Sequence, residues 1–336
     1  MKRIAVIATA LLLAFNLATS PAAAEDSLEN LPLEGLEKIE SIVYGTPGAG
    51  GLLLRLSKIE RDLFGMELPG SMTERQAALV NFVEKGASGQ PSLLFKVAVA
   101  EWVTLRRVNS STALAERISA LEETLEGETQ VGALSARLER LITKLMPNGV
   151  SSTNVTAPAN TVFRAKFVST LTVRTVAKGD VVALELTEDC IIGGALAAAR
   201  GNRLFAEVTR VKMPRSFGRP SEIDLEFKSV EFLDATTTPV FIGPEAQKAA
   251  DIDKATIGAA GASIAATVLI GPVGLATGFL VRGSDRQIKE GTGVFVESHE
   301  AAVVMAYAAP EAMIRQSIDS DAASPSGGET SGVITE

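Results

Sequence analysis

The residue types that most often carry catalysis are scarce in this chain. His299 is the only histidine and Cys190 is the only cysteine. A single histidine cannot provide a two-histidine metal site, and a single cysteine cannot form a disulfide within the chain. We expect His299 to lie in a turn between two strands and Cys190 to be a buried thiol at the end of a strand. Pairing between chains or a redox role stays open as the alternative for the thiol.

Two other patterns resemble parts of catalytic sites but are incomplete. Residues 45–51, GTPGAGG, contain the glycines of a phosphate-binding loop without the Lys and Ser/Thr that hold phosphate and magnesium. Adjacent acidic residues occur at Glu122–Glu123 and Glu188–Asp189, and such pairs usually mark a solvated surface. A carboxylate-dependent hydrolase uses paired acids, so it remains an alternative. The sequence otherwise predicts a protein that is not an enzyme and has no cofactor and no metal site.

The chain begins with the pattern of a secretory signal peptide, predicted over residues 1–24. Lys2 and Arg3 provide the charged start, residues 4–15 form an apolar run, and residues 22–24 are the small residues of a cleavage site. We therefore expect an exported protein of the periplasm or of the outer membrane and cell envelope. The formal net charge of −8 argues against a nucleic-acid partner, because phosphate binding needs clustered Lys and Arg.

The rest of the chain divides into two parts with different periodicity, which predicts an α+β protein. Residues 29–147 are helical in pattern and predict a small domain of short amphipathic repeats. Residues 158–308 alternate as strands do and predict an antiparallel β barrel or sandwich. Residues 148–157 are rich in turn formers and predict a linker, whereas residues 309–336 predict an acidic, largely disordered tail.

A weak internal repeat marks the helical part, since LEKIESIVYG at 36–45 matches LSKIERDLFG at 56–65. Gly45 and Gly65 suit the left-handed position that ends a helix. Each helix is too short to be stable alone, so its apolar face must pack on other helices or on a partner. We predict a helical interaction face for protein partners or self-association, and a helical domain without a partner is the alternative. The residues of this face are Leu52, Leu56, Ile59 and Leu63.

The β part alternates from its start, because apolar and charged residues take turns in residues 163–167, FRAKF. A second alternation of apolar residues runs through Ile223, Leu225 and Phe227. It resumes in the opposite phase at Val230 and Phe232. The change of phase predicts a β-bulge near residues 228–229.

Residues 255–281 carry no charge and are interrupted near their middle by a Gly-Pro pair. Each half is too short to cross the roughly 30 Å hydrocarbon layer as a helix. We predict a glycine-rich helical hairpin inserted in the β part, because a single crossing would separate the last strands from their partners. A hairpin buried within protein and a single crossing are the alternatives. The residues predicted to form the membrane or pore hairpin are Gly258, Gly261, Gly271, Pro272, Gly274 and Gly278.

Four segments of the β part follow one another within residues 158–233: ANTVFRAKFVSTL, KGDVVALEL, ARGNRLFAEVTRV and RPSEIDLEFKSVEF. In this order they resemble the C-terminal domain of the TrbI-like proteins, the outer-membrane core components of conjugation and type IV secretion channels. The resemblance implies a barrel over 158–308 and a late helical hairpin that helps to line a pore, with residues 255–281 in the comparable place. The helical repeats of 36–147 have no counterpart in that family.

Together these patterns predict a non-enzymatic scaffold or assembly protein of the cell envelope. The resemblance adds an association with the outer membrane or with a secretion channel. We expect protein partners or self-association, and membrane contact through residues 255–281. An exported hydrolase that acts on cell-wall polymer and a soluble periplasmic ligand-binding module are the alternatives.

Overall fold

A computed structural model describes residues 31–86, 90–213, 222–259, 279–282 and 287–323. The predicted signal peptide, residues 1–24, lies outside the described residues. The same holds for residues 260–278 of the predicted hairpin and residues 324–336 of the predicted tail.

The N-terminal part consists of short helices that begin 20 or 21 residues apart. They are α1 (Leu31–Tyr44), α2 (Leu52–Phe64), α3 (Met72–Val80, continued by a π-helical turn at Asn81–Lys85), α4 (Leu93–Leu105), α5 (Leu114–Glu126) and α6 (Leu134–Leu145). Gly45 and Gly65 follow α1 and α2 with φ of 85° and 79°, which confirms the predicted helix ends. The residue that follows α4 is Arg106, which adopts the same left-handed conformation with φ of 55°.

Buried glutamates tie consecutive helices together. At four junctions a glutamate near the end of one helix pairs with an arginine 15 or 16 residues later, near the start of the next. The same carboxylate accepts a hydrogen bond from the backbone N–H eight residues after it. Each glutamate therefore holds both the loop and the helix that follow it. The pairs are Glu40–Arg55, Glu60–Arg75, Glu101–Arg117 and Glu122–Arg137.

In its described residues, the C-terminal part is built from β strands with one inserted helix and one terminal helix. The strands are β1 (Ser152–Ala157), β2 (Val162–Phe167), β3 (Leu171–Thr172), β4 (Val181–Leu186), β5 (Cys190–Ile192), β6 (Ala195–Ala198), β7 (Arg203–Lys212), β8 (Glu222–Glu231), β9 (Thr237–Phe241), β10 (Phe279–Arg282), β11 (Gln287–Ile288), β12 (Gly293–Ser298) and β13 (Ala302–Tyr307). The helices are α7 (Pro244–Ala259), between β9 and β10, and α8 (Glu311–Ala323), after β13.

Six of these strands close an antiparallel barrel. β8, β7, β4, β2, β12 and β9 pair in this order, and β9 pairs again with β8. The interior is a packed core in which Phe163, Phe167, Leu184, Leu225 and Val296 are each at most 3% exposed. The predicted α+β class is confirmed, and the β part takes the barrel form of the two that the sequence allows.

The predicted β-bulge is confirmed in the pairing of β7 with β8. Phe205 lies opposite Ser229, whereas the next residue, Ala206, lies opposite Phe227. Lys228 is therefore the extra residue, and it moves the following apolar side chains back to the interior face.

A second sheet contains part of the segment predicted to be a linker. It has the strand order β1-β13-β6-β5, and β1 pairs antiparallel with β13 from Ser152–Tyr307 to Ala157–Ala302. Residues 152–157 are thus a strand, in contrast to the interpretation of 148–157 as a linker. Their Ser, Thr and Asn content suggested a turn, but the Thr and Val side chains also favour strands. The partner strand, residues 302–307, lies about 150 residues later in the sequence, so local patterns do not reveal it.

The segment predicted to be a largely disordered tail contains helix α8 over residues 311–323. Ile314 is only 6% exposed and packs with Met313 against α4 and the second sheet. The acidic composition concealed these two apolar contacts, because an average over the segment does not show which residues share a helix face. Residues 324–336 lie outside the described part.

Helix α4 belongs to two hydrophobic cores and joins the two parts of the chain. Leu93 and Val97 pack among the other helices. Phe95, Val99 and Trp102 are fully buried against the second sheet and α8. The helical part and the second sheet are therefore connected by a continuous buried surface.

Candidate functional site

The two ends of the uncharged segment 255–281 are attached to the barrel, and this attachment is the candidate functional site. On one side the segment continues α7, which includes Gly258. On the other side it leads into β10, which pairs antiparallel with the start of β8. Residues 279–281 are thus strand, where the hairpin was predicted to be helical, because the Phe-Leu-Val sequence suits an edge position beside β8. The other predicted hairpin residues, Gly261, Gly271, Pro272, Gly274 and Gly278, lie outside the described part.

A buried carboxylate fixes the start of α7. Glu297 of β12 is 1% exposed, and its Oε2 accepts a hydrogen bond of 2.7 Å from the backbone N–H of Ala246 in the first turn. A negative charge is favourable at this end of a helix. A Cβ at Gly243, just before the helix, would lie 2.0 Å from Glu297 Oε1, so only glycine allows the carboxylate this close.

The side of α7 is held against the barrel wall by small residues and an ion pair. Ala246 and Ala250 are each 1% exposed, so the helix lies close to β2 and β12. One turn further on, Asp253 Oδ1 lies 3.1 Å from an Arg164 guanidinium nitrogen. The same guanidinium lies 2.9 Å from Glu188 and over the ring of Phe295. Helix α7 therefore carries the chain toward the uncharged segment from a defined position on the barrel.

We expect Glu297→Ala to lower the free energy of unfolding by about 1–3 kcal/mol, because it leaves the buried backbone N–H of Ala246 without an acceptor. Limited proteolysis within α7 should become faster in the variant. Glu300→Ala is the matched control, since Glu300 is an exposed residue of the turn that follows β12. Chemical denaturation that gives the same midpoint for both variants would contradict the anchoring role of Glu297.

The predicted interaction face of α2 lies inside the helical domain. Leu56, Ile59 and Leu63 are at most 1% exposed, and Leu52 is half-buried against the same core. In the described part of the chain these residues contact neighbouring helices. The face therefore stabilises the helical domain by packing inside it, and protein partners or self-association stay a prediction.

The contact between α4, the second sheet and α8 is centred on Asp189. Its Oδ2 accepts a hydrogen bond of 2.7 Å from Trp102 Nε1 and another from the Ser317 hydroxyl, and its Oδ1 accepts one of 2.7 Å from the Arg200 backbone N–H. The Trp102 ring also packs edge-on against Tyr307, with centroids 6.0 Å apart. One carboxylate thus links the helical part, the barrel part and the C-terminal helix.

The residues considered for chemistry occupy structural positions. Burial, with a smaller contribution from the Asp189 charge, raises the pKa of the Cys190 thiol to about 12. The thiol is therefore protonated at neutral pH, which opposes nucleophilic or redox chemistry. His299 is exposed in the turn between β12 and β13, as predicted, with its ring beside Phe241.

The acidic pairs separate into different environments. Glu122 is buried and paired, whereas Glu123 is exposed, and Glu188 binds Arg164 while Asp189 holds the junction. Within the described ranges no group of three His, Cys, Asp or Glu residues is arranged to hold a metal ion. Glu122 and Asp189 each contact helices and hold them in position.

The sequence reasoning missed Glu297, Asp189 and the glutamate–arginine pairs. The pairs left a signal that could have been found, because the matched segments at 36–45 and 56–65 both contain the glutamate, with an arginine 15 residues further on. Glu297 and Asp189 left no such signal, since their partners are distant in the chain.

In the part of the chain that the structure describes, no helix combines the length and apolar character needed to span a bilayer. No protein-family profile and no curated protein sequence matches the chain. One solved structure that the chain matches is ComB10 of the Com type IV secretion system of Helicobacter pylori, at 11% identity and a TM-score of 0.24, covering 44% of this chain and 89% of that chain. A TM-score this low carries no argument about the fold, the family or the function of this chain.

Proposed function

We propose that this protein is a non-enzymatic scaffold of the cell envelope whose barrel holds the uncharged segment 255–281 in a membrane. One observation carries the proposal: both ends of an uncharged stretch long enough to enter a bilayer are attached to one packed barrel, through α7 and β10. The predicted signal peptide at 1–24 supports the same compartment.

The arrangement of α7 favours support of the segment over catalysis. Glu297, Arg164 and Asp253 hold the helix on the outside of the barrel, where its continuation can leave the domain. The barrel interior is filled by side chains such as Phe167 and Leu184, so it acts as a rigid core. We propose that the helical part, held to the barrel through α4, supplies further protein contacts in the envelope.

The proposal is tested by extraction of the native protein from cell envelopes. The intact chain should remain in the membrane fraction at high salt and should require detergent for extraction. Leaving the bilayer would expose the apolar residues of the segment to water. A variant in which residues 260–278 are replaced by a Gly-Ser sequence of the same length should be extracted without detergent and should retain the circular dichroism of the β domain.

A single substitution in the uncharged segment tests the membrane proposal more directly and has a matched control. Leu269→Asp should raise the fraction released by alkaline washing, since an unpaired charge in hydrocarbon costs several kcal/mol, whereas Leu269→Ala should behave like the parent. Release of the unmodified protein by salt alone would reject the membrane proposal. Turnover of cell-wall polymer that one Asp or Glu substitution abolishes would favour the hydrolase instead.

A further inference from the structure

Two consecutive leucines are exposed at the start of α2. Leu53 is 58% exposed and Leu54 is 73% exposed. The loop before them, residues 45–51, is exposed throughout and carries no charge. A Cβ at Gly50 or Gly51 would meet no described atom within 4 Å, so nothing described covers the end of the loop that adjoins the leucines. We call the loop and the two leucines the Leu53–Leu54 tip.

The other copies of the helical repeat show which residues this position carries when it faces water. In α3, α5 and α6 the second and third helical residues are small, polar or acidic. They are Thr73 and Glu74, Ala115 and Glu116, and Ser135 and Ala136. Glu74 and Glu116 place a negative charge at the helix N-terminus, which is favourable, and Leu54 lacks this contribution.

Helix α4 differs from these helices, because it carries a large apolar residue at the third helical position. Its third helical residue is Phe95, which is fully buried because the second sheet covers this face of α4. A large apolar residue at this position is therefore covered by another body in α4, whereas its counterpart in α1, Leu33, is 46% exposed. Leu54 is the most exposed of the three at 73%.

We propose that the Leu53–Leu54 tip inserts into the surface of a zwitterionic phospholipid bilayer. The proposal rests on the proposed function, since it requires the chain to meet a membrane, and it adds a second, peripheral contact in the helical part. The absence of charge over residues 45–54 fits a neutral lipid surface. A stable interface between folded proteins buries about 800 Å² on each partner, and two leucines beside glycines supply few side chains for such packing. Lipid needs no complementary shape, so a small apolar tip suffices.

The test uses the full chain with a polarity-sensitive fluorophore attached to Leu54→Cys. Cys190 is replaced by Ser in every labelled chain, because its side chain is only partly buried and could compete for the label. Phosphatidylcholine vesicles should shift the emission of the label to shorter wavelength and protect it from an aqueous quencher. The same label on Val131→Cys is the control, since Val131 is 98% exposed in the equivalent loop between α5 and α6 and should remain in water.

A second variant tests the apolar side chain itself. Adding Leu53→Glu to the labelled chain should abolish the shift, and folding should be preserved because Leu53 is exposed. If the chain floats with vesicles while the label at position 54 stays in water, the tip proposal fails and the proposed function stands. If the chain does not bind vesicles at all, both fail. A shift that appears with protein concentration alone, without vesicles, would assign the tip to contact between copies and overturn the lipid proposal.

Discussion

Replacing Glu122 by alanine should unfold or severely destabilise the helical domain, with a loss of about 3–5 kcal/mol in the free energy of unfolding. The Glu122 side chain is fully buried, and its oxygens lie 2.6 Å from Arg137 and 2.8 Å from Arg140. It also accepts a hydrogen bond of 3.0 Å from the backbone N–H of Gln130. Removing the carboxylate leaves the mostly buried Arg137 guanidinium without its counter-charge.

Glu123→Ala is the matched control, because the neighbouring side chain is exposed and forms no described ion pair. Thermal and chemical denaturation followed by circular dichroism at helical wavelengths would measure both variants. Equal midpoints for the Glu122 and Glu123 variants would show that the pair does not stabilise the domain.

The same carboxylate should make stability depend on pH. Burial opposes the charged form of Glu122, but hydrogen bonds from Arg137, Gln130 and Arg140 outweigh it and hold the pKa below its usual value of 4.5. A lowered folded-state pKa stabilises the protein above the unfolded pKa and loses this contribution as pH falls through the folded value. The helical domain should therefore weaken below about pH 4.5, and the Glu122→Ala variant should show a smaller pH dependence.

Replacing Trp102 by alanine should separate the helical part from the barrel. Trp102 is fully buried, and truncation of such a side chain typically costs about 3–5 kcal/mol. It also leaves Asp189 without the indole N–H, which the Ser317 hydroxyl and a backbone N–H cannot replace. We expect one thermal transition in the parent to become two, since each part retains its own core.

Two further variants isolate the contributions of Trp102. Trp102→Phe keeps most of the apolar contact with Tyr307 but lacks the indole N–H, so it should lie between the parent and the alanine variant. Leu105→Ala, at a residue of α4 that is 37% exposed, should change little. A single unshifted transition in the Trp102→Ala calorimetry scan would show that the interface does not couple the two parts.

Local patterns in the sequence predicted the elements whose character depends on neighbouring residues. The apolar spacing around Leu56 and Ile59 identified a helix, and the change of phase after Phe227 identified the bulge at Lys228. These features could be predicted because the helical period of 3.6 residues and the strand period of 2 residues are visible in short stretches of sequence.

The features that could not be predicted from the sequence depend on residues that are far apart in the chain. The role of Leu56 as a core residue was ambiguous, because an amphipathic face does not specify which surface covers it. Residues 152–157 became strand β1 only through their pairing with residues 302–307, and α8 is held by contacts to α4. Glu297 illustrates the same limit at the candidate site, since Ala246, whose N–H it accepts, lies 51 residues away.

The pairing of β2 with β12 determines the order in which the parts can form during synthesis. Val162 lies opposite Glu297, so the barrel cannot close before the last strands have been made, whereas the core of the helical part is complete near Met146. Residues 255–281 precede β12 in the chain and follow β2. During synthesis the uncharged segment is thus made while its barrel is still open, before the domain that holds both its ends has acquired its final shape.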